Sequence, residues 1–258
     1  MLNLNASAQK DFTVVQLTDP QFGFFSENKT FEKETELYTE AVRQINELKP
    51  AFVVITGDLV NNAKDTAQIN EFKRITALID DDIPVYLIPG NHDLGQNPTK
   101  EDFEFYFNNY GKGTDRFSVK HEGSAFIGIN SVVIKSDKNQ KEEKRQYRWL
   151  KRQLRKMKNS DNIVIFTHYP FFINDINEKE TYSNQSIENR HKYFELFKKY
   201  GVDVVFAGHL HNNAEASYDG ISMITTNAVG RPLGEARSGM RIITIHNGEL
   251  SNEYKTLQ

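Results

Sequence analysis

Short, apolar, β-branched segments alternate with amphipathic stretches along this chain, and this alternation constrains the fold more than any other feature. Five such segments span residues 13–17, 52–56, 85–88, 163–166 and 202–206. Each has the length and composition of a buried strand. We therefore expect an α/β protein in which the carboxyl ends of these strands meet along one edge.

The stretches between these segments predict helices. Apolar residues recur at helical spacing over residues 31–48, 69–79, 101–110 and 188–200. Lys49-Pro50 ends the first of these helices, and Gly201 ends the last. Strands at about 117–119, 125–129, 221–225 and 240–245 are expected to fill a second sheet.

A polar motif follows each of the five apolar segments named above. The motifs are Asp19-Pro20-Gln21, Gly57-Asp58, Gly90-Asn91-His92-Asp93, Thr167-His168 and Gly208-His209-Leu210-His211. Ligands of open α/β sheets bind outside the carboxyl ends of the strands, where these motifs stand. Taken singly, each motif is more often a turn, a helix cap or a polar loop. Their joint occurrence predicts a functional site.

The residue types in these motifs suit a pair of divalent metal ions. Two ions about 3.5–4 Å apart can polarise a phosphoryl group, activate a water and hold the attacking and leaving oxygens in line. Such a pair needs a bridging carboxylate, and Asp58 on the central motif is the natural candidate. Imidazole, carboxylate and amide groups bind such ions without thiolates, and the chain has no cysteine.

The order of the motifs resembles that of the calcineurin-like metallophosphoesterase superfamily. Several longer segments are similar to the calcineurin-like phosphoesterase domain-containing protein 1 group: residues 18–23, 90–95, 208–214 and 227–230, with Leu233-Gly234. The likeness extends from about residue 13 to the strand near Tyr254. It implies an α/β fold in which a two-sheet sandwich is flanked by helices, with the metal site at the carboxyl ends of the strands.

The resemblance also implies the ligands of two divalent ions. Asp19, Asp58 and His211 are expected to hold the first ion, and Asn91, His168, His209 and the shared Asp58 the second. The ions are expected to be manganese, iron or zinc, with magnesium or calcium as alternatives. His92 is expected near the leaving-group oxygen, as a general acid or as a positive stabiliser. Asp93 is expected to join it in catalysis by orienting the imidazole or the local backbone.

One motif departs from the superfamily pattern. Its usual form is Asp-x-His, whereas this chain has Gln21 at the third position. An amide oxygen is a poorer ligand than an imidazole nitrogen, so Gln21 is expected to coordinate weakly or through water.

Two residues near the last motifs are candidates for substrate binding, Asn227 and Arg231. The planar guanidinium of Arg231 can bind a phosphate with two parallel hydrogen bonds. A surface salt bridge is the competing interpretation of this arginine.

Residues 171–186 follow His168-Tyr169-Pro170 directly and lack a helical or strand period. A loop of this length in a compact domain often forms a lid or a binding loop. The alternative is a surface connection that buries Phe171 and Phe172.

Residues 141–158 hold nine lysines and arginines: Lys141, Lys144, Arg145, Arg148, Lys151, Arg152, Arg155, Lys156 and Lys158. Tyr147, Leu150, Leu154 and Met157 form an apolar stripe at helical spacing. This pattern predicts an amphipathic helix that packs on the sheet and exposes a solvated basic face. Docking of an acidic partner is the alternative.

The composition excludes some classes of function. At 258 residues the chain is long enough for a sizeable core in a single domain. Its net charge of -3 argues against binding nucleic acid by bulk electrostatics. The sequence has no apolar run long enough to span a membrane. The expected partner is a phosphorylated small molecule or phosphoprotein, and the oligomeric state stays open.

The domain prediction is a tail at residues 1–12 followed by one domain at 13–258, because no linker or internal repeat divides the chain. Residues 5–9 have the small-x-small pattern that precedes signal-peptidase cleavage, yet the apolar segment that should precede it is absent. The chain as given is expected in the cytoplasm. Export to the periplasm is the alternative if a signal peptide has been trimmed before Gln9.

Three functions fit the sequence. The favoured one is a two-metal phosphomonoesterase in which an activated water or hydroxide attacks, and the resemblance implies phosphoserine or phosphothreonine substrates. A phosphodiesterase, a cyclic-nucleotide hydrolase or a nuclease uses the same metals. A non-catalytic metal-binding scaffold is the third, although the catalytic candidate His92 and the strong ligands are all present.

Overall fold

Two sheets form the centre of the computed structural model, which describes residues 11–258. The strands are β1 (Phe12–Leu17), β2 (Phe52–Ile55), β3 (Val85–Leu87), β4 (Phe117–His121), β5 (Ser124–Gly128), β6 (Ile163–Phe166), β7 (Val204–Ala207), β8 (Ala214–Tyr218), β9 (Ile221–Thr225), β10 (Gly239–His246) and β11 (Glu249–Thr256). The first sheet has the order β11-β10-β1-β2-β3, and the second has the order β4-β5-β6-β7-β9-β8. This arrangement confirms the predicted two-sheet α/β fold.

The helices lie outside the two sheets. They are α1 (Glu32–Leu48), α2 (Thr66–Thr76), α3 (Asn91–Leu94), α4 (Lys100–Tyr110), α5 (Ser131–Lys135), α6 (Gln140–Met157) and α7 (Ile187–Tyr200). Local signals fix several of their ends. Asp65 caps α2 by accepting from the amides of Ala67 and Gln68. Gly201 ends α7 in the left-handed conformation that glycine adopts without strain.

The pleat of the strands sorts their side chains into three cores. Val14 of β1 and Phe206 of β7 belong to a cluster between the sheets whose buried residues come almost entirely from strands. Val15, one position on, faces the other way and packs with α1. On the outer face of the second sheet, Ile165 packs with Leu150 of α6 and other residues of α6 and α7. The molecule therefore has four layers, with helices on both outer faces.

The predicted basic helix is α6. Leu150 and Leu154 on its apolar stripe are fully buried, whereas Tyr147 and Met157 are partly buried. All nine lysines and arginines of the basic face are exposed. The helix therefore packs as the amphipathic pattern predicts.

The structure corrects the sheet membership of β10. The sequence analysis placed residues 240–245 in the second sheet, yet β10 pairs antiparallel with β1, with Val14 opposite Ile243. β10 also forms a hairpin with β11. The alternation of apolar residues fixes which face a strand buries, and it does not specify the neighbouring strand. The parallel strands are likewise divided, with β1 to β3 in one sheet and β6 and β7 in the other.

The predicted tail at residues 1–12 lies mostly outside the described residues, and β1 begins at Phe12, one residue before the predicted strand. The small-x-small pattern at residues 5–9 also lies outside them. Among the described residues, no helix has both the length and the apolar character that crossing a bilayer requires.

Candidate metal centre

The five motifs meet where strands of the two sheets end. Backbone hydrogen bonds join the loops that carry them: the Asp19 amide donates to the Gly57 carbonyl at 3.1 Å, and the Gly208 amide donates to the His168 carbonyl at 3.0 Å. The first bond links two loops of the first sheet, and the second links two loops of the second. Side chains from distant parts of the sequence are thereby collected at one edge of the sandwich.

Left-handed backbone is concentrated in these loops. Five motif residues that are not glycine have positive φ values: Asp19 (52°), Gln21 (40°), Asp58 (49°), His209 (70°) and His211 (49°). The left-handed region raises the conformational free energy of residues other than glycine. Residues strained in this way tend to cluster where a site requires particular side-chain directions. The strained backbone at these five residues marks this edge as a candidate functional site.

Asp58, His168 and His209 form the tightest cluster of potential metal ligands. Their ligand atoms all lie within 4.8 Å of one another, and all three side chains are buried. Asn91 belongs to the same group, because its Oδ1 atom lies 3.1 Å from His168 Nε2. The Asp58 Oδ2 atom lies 3.3 Å from the same nitrogen. Two oxygens and two imidazoles therefore surround one small volume.

The ring of His168 is fixed by a carbonyl. His168 Nδ1 lies 2.9 Å from the Thr56 carbonyl oxygen. A carbonyl can only accept, so Nδ1 carries the proton and Nε2 is left to face Asp58 and Asn91. Metal-binding histidines commonly have this second hydrogen bond, which sets their tautomer.

Asp19 and His211 form a second pair beside this cluster. His211 Nε2 lies 3.4 Å from Asp19 Oδ1. The Nδ1 atom of His211 donates to the Arg231 carbonyl at 2.6 Å, which fixes this ring as Thr56 fixes His168. The other carboxylate oxygen of Asp19 accepts from the His209 amide at 2.9 Å and from the Thr18 hydroxyl at 2.6 Å.

The electrostatics of this group reflect two carboxylates buried close together. Burial raises the pKa of Asp58, but the nearby His168 outweighs burial and holds that pKa below its usual range. Burial lowers the pKa of His168, and the carboxylates of Asp58 and Asp19 outweigh it and raise the pKa to about 9. A positive charge is thus favoured between the carboxylates. Burial and His168 lower the pKa of His209 to about 3, so its ring is neutral.

Three buried polar atoms at this edge have no hydrogen-bond partner among residues 11–258: Asp19 Oδ1, Gln21 Oε1 and His209 Nε2. An unpaired buried polar atom costs about 1–3 kcal/mol, so three at one edge require an explanation. All three belong to predicted ligands and can donate a lone pair. The residues present therefore fit divalent cations, which would satisfy these atoms and the two carboxylates together.

Two glycines permit this close packing. A Cβ atom at Gly208 would lie 1.8 Å from the Thr18 hydroxyl and 2.6 Å from Asp19 Oδ2. A Cβ atom at Gly90 would lie 2.1 Å from Asp58 Oδ1. The glycines of the motifs are therefore required because ligand side chains occupy the space beside them.

His92 lies at the rim of the cluster and is only partly buried. Its amide donates to Asp58 Oδ1 at 2.8 Å, and its Nδ1 atom lies 2.9 Å from the Asn61 carbonyl oxygen. The carbonyl places the proton on Nδ1, so Nε2 is the atom free for substrate. This position fits a residue that acts on substrate.

Asp93 contacts backbone amides and not the imidazole of His92. Its carboxylate is buried and accepts from the amides of Gly90 at 2.8 Å and Leu59 at 2.9 Å. The His92 ring is oriented by Asn61 and not by Asp93. Asp93 therefore ties the loop of Asp58 to the loop of Asn91, which is the backbone role that the sequence analysis gave as one alternative.

The two residues expected to bind substrate, Asn227 and Arg231, have different surroundings. Asn227 is fully buried, and its amide nitrogen donates to the carbonyls of Ala236 at 3.0 Å and Arg237 at 3.2 Å. It supports its own loop and is not presented to substrate. Arg231 makes no ion pair within residues 11–258, and its guanidinium lies 5.5 Å from the ring centre of Phe24. The Phe24 ring in turn lies 5.1 Å from the ring of His211.

The sequence analysis gave no role to two tyrosines that border the cluster. The ring centroid of Tyr169 lies 4.2 Å from that of His209, and the ring centroid of Tyr182 lies 4.9 Å from that of His209. Asn91 Nδ2 donates to the Tyr182 hydroxyl at 3.1 Å. The position of Tyr169 next to His168 was the one local signal. Tyr182 stands fourteen residues beyond His168 and is brought in by the fold of its loop.

Comparisons with known proteins agree with this geometry. The family model for calcineurin-like phosphoesterases matches residues 12–213. The serine/threonine-protein phosphatase CPPED1 of Rattus norvegicus is 32% identical and aligns with 95% of this chain and 84% of its own length. The CPPED1 protein of Homo sapiens is 33% identical, over 93% of this chain and 82% of its own length.

Solved structures share the fold. A dimetal phosphatase from Danio rerio has a TM-score of 0.65 at 14% identity, over 96% of this chain and 99% of that one. A purple acid phosphatase from seeds of yellow lupin has a TM-score of 0.70 at 14% identity, over 96% of this chain and 52% of that one. At this identity the likeness concerns the fold alone. With the family match, the CPPED1 relatives and the metal centre together, the chain belongs to the calcineurin-like phosphoesterase family, in its CPPED1 group, and is a metal-dependent phosphoric ester hydrolase.

Proposed function

We propose that this chain is a phosphomonoesterase that dephosphorylates phosphoserine and phosphothreonine in proteins. Metal-dependent hydrolysis is supported by one observation above all, the buried cluster of Asp58, His168 and His209. The ligand atoms of this cluster lie within 4.8 Å of one another. The substrate class is supported by the CPPED1 relatives, which are named serine/threonine-protein phosphatases and are 30–33% identical to this chain.

The proposed ligands divide into two sets that share Asp58. One ion would be held by Asp19, Asp58 and His211, with Gln21 as a weak ligand. The other would be held by Asp58, Asn91, His168 and His209. The 3.4 Å separation of His211 Nε2 from Asp19 Oδ1 supports the first set, and the contacts of His168 with Asp58 and Asn91 support the second. Manganese, iron or zinc suits this mixture of imidazole and oxygen ligands.

When bound, the two ions would polarise the phosphoryl group and activate the attacking water. The chain itself supplies His92, whose Nε2 atom would hold a proton for the oxygen of the leaving serine or threonine. An alkoxide is a poor leaving group, so this proton matters most for a protein substrate. Arg231 lies on the side of His211, where its guanidinium would bind a phosphate oxygen.

Gln21→His is expected to strengthen the first metal position. Gln21 Oε1 is buried and has no partner in the described part of the chain, while the Nε2 atom of Gln21 donates to Asn61 Oδ1 at 3.2 Å. An imidazole nitrogen at this position would bind manganese more tightly than the neutral amide does. Calorimetric titration of the metal-free parent should show one tight and one weak site. In Gln21→His the weak site should tighten, and activity should saturate at lower manganese.

The matched control for this prediction is Gln68→His. Gln68 is also buried, but its side chain bonds to Asn62 and Asn28. Two equal manganese sites in the parent, or an unchanged weak site in Gln21→His, would show that Gln21 does not face the metal.

A phosphodiesterase is the second candidate function. A probable glycerophosphodiester phosphodiesterase of Arcobacter nitrofigilis is 29% identical over 71% of this chain and 66% of its own length. The same two-metal chemistry cleaves monoesters and diesters, so the cluster does not separate the two functions.

A panel of substrates tests the proposal. Metal-loaded protein should be assayed on a phosphoserine peptide, a phosphothreonine peptide, glycerophosphocholine as a diester and a cyclic nucleotide, at equal concentrations. We expect the highest kcat/KM on the phosphopeptides. A higher kcat/KM on the diester would favour the second candidate, and no turnover of any ester by metal-loaded protein would favour the scaffold alternative.

A further inference from the structure

Tyr182 reaches the metal centre from the irregular segment between β6 and α7. Its ring lies 4.9 Å from the ring of His209, and its hydroxyl accepts from Asn91 Nδ2 at 3.1 Å. The side chain is nevertheless 53% exposed. One residue thus contacts two proposed metal ligands and also faces the solvent from which a substrate arrives.

The hydroxyl of Tyr182 accepts a hydrogen bond from a proposed metal ligand, Asn91. Coordination through Asn91 Oδ1 would leave Nδ2 as the donor that the structure directs at Tyr182. A phenol that accepts a hydrogen bond still has its own O–H to donate, so the Tyr182 hydroxyl can donate to a group on its solvent side.

The backbone around Tyr182 is held in place. Lys135 Nζ donates to the carbonyls of Thr181 at 2.7 Å and Asn184 at 2.6 Å. Asn184 Oδ1 accepts from the Thr181 amide at 2.8 Å, which closes the turn. Tyr182 is therefore presented by an ordered turn and not by a loose loop. A donor fixed in advance loses little entropy when it binds a ligand.

The same segment is anchored at its base. Arg190 of α7 is fully buried and donates to the carbonyls of Gln185 at 2.9 Å, Ile176 at 3.0 Å and Glu178 at 2.6 Å. Phe171 and Phe172 are fully buried as well. The buried phenylalanines and a role at the site are thus compatible: the base of the segment is core, and its tip borders the metals.

We propose that the Tyr182 hydroxyl donates a hydrogen bond to a phosphoryl oxygen of the bound ester and of the phosphate product. This inference rests on the function proposed above. A phosphoryl group in transfer distributes its charge over three equatorial oxygens, which need donors besides the metal ions. Arg231 is placed beside His211, and Tyr182 is placed beside His209 and Asn91. The two residues would bind the phosphate from the two sides of the metal centre.

Tyr182→Phe tests the proposal because it removes the hydroxyl and keeps the ring on His209. Binding of inorganic phosphate should be measured by calorimetry at saturating manganese, together with kcat and KM on a phosphoserine peptide. The expected result is a loss of roughly 10- to 100-fold in phosphate affinity, the value of one hydrogen bond to a charged group. The kcat/KM should fall by a similar or larger factor, with manganese affinity unchanged.

Tyr218→Phe is the matched control. Tyr218 ends β8 beside the hairpin to Ile221, its ring lies 6.2 Å from that of Phe194, and it is partly buried. It should bind phosphate and turn over peptide as the parent does.

The outcomes separate the two proposals. Phosphate binding by Tyr182→Phe equal to the parent's would overturn the role of Tyr182 alone. Weaker manganese binding with unchanged phosphate affinity would also overturn it, because Tyr182 would then act by orienting Asn91. If the manganese-loaded parent bound no phosphate, the proposed function would fail, and the role of Tyr182 with it.

Discussion

Asp58→Asn is expected to lose at least one metal ion and to turn over roughly 10³-fold more slowly than the parent. Asp58 is the residue proposed to touch both ions, and its carboxylate lies against His168 at 3.3 Å. Asparagine keeps the size but loses the charge and one ligand oxygen. A metal that polarises the phosphoryl group contributes several kcal/mol to the transition state. About 4 kcal/mol corresponds to the expected factor.

The measurement is elemental analysis together with initial rates at saturating manganese. Asp203→Asn is the matched control, because Asp203 precedes β7 of the second sheet, at the end of that strand opposite His209, and accepts from the Ile163 amide at 2.7 Å. It should keep its metal and its turnover. Two bound ions and normal turnover in Asp58→Asn would remove Asp58 from the bridging position.

His92→Ala is expected to keep its metal content and to lose about 10²–10⁴ in turnover of a phosphoserine peptide. The ring is held by the Asn61 carbonyl and is not needed by the proposed ligand sets. The loss should be smaller for an aryl phosphate, because a phenolate leaves with less help from a proton. The comparison of the two substrates is therefore the decisive part of the experiment.

His246→Ala serves as the control, since His246 is exposed and bonds to Asp11 at 2.7 Å away from the proposed ligands. An equal loss on the peptide and the aryl phosphate would assign His92 to electrostatic stabilisation and not to proton transfer. No loss on either substrate would exclude it from the reaction.

Much of the fold could be predicted from local signals. The buried strands are short apolar runs, and the polar motifs mark the points where they end, so the edge that gathers Asp19, Asp58 and His168 could be located in advance. The sheet partner of β10 could not be predicted, because β10 is buried on both faces and its apolar residues would suit either sheet. Non-local pairing decided that question.

The site residues also divide into those that local sequence signals predict and those that they do not. Asp93 follows His92 in the sequence, yet successive residues of a helix point about 100° apart, so neighbours in α3 serve different groups. Asn227 stands near the predicted substrate residue Arg231 but points into its own loop. Tyr182 meets Asn91 across 91 positions of sequence, through a loop whose shape depends on Lys135 and Arg190. No local pattern encodes such a contact.

Asp19, Asp58 and the three buried histidines are proposed to hold two ions that hydrolysis requires. The most direct measurement is a titration of metal-free protein with manganese, in which bound metal and turnover of a phosphoserine peptide are determined on the same samples. We predict no turnover without metal, and full turnover only as the second ion per chain binds. Full turnover by protein shown to be metal-free by elemental analysis would contradict the account.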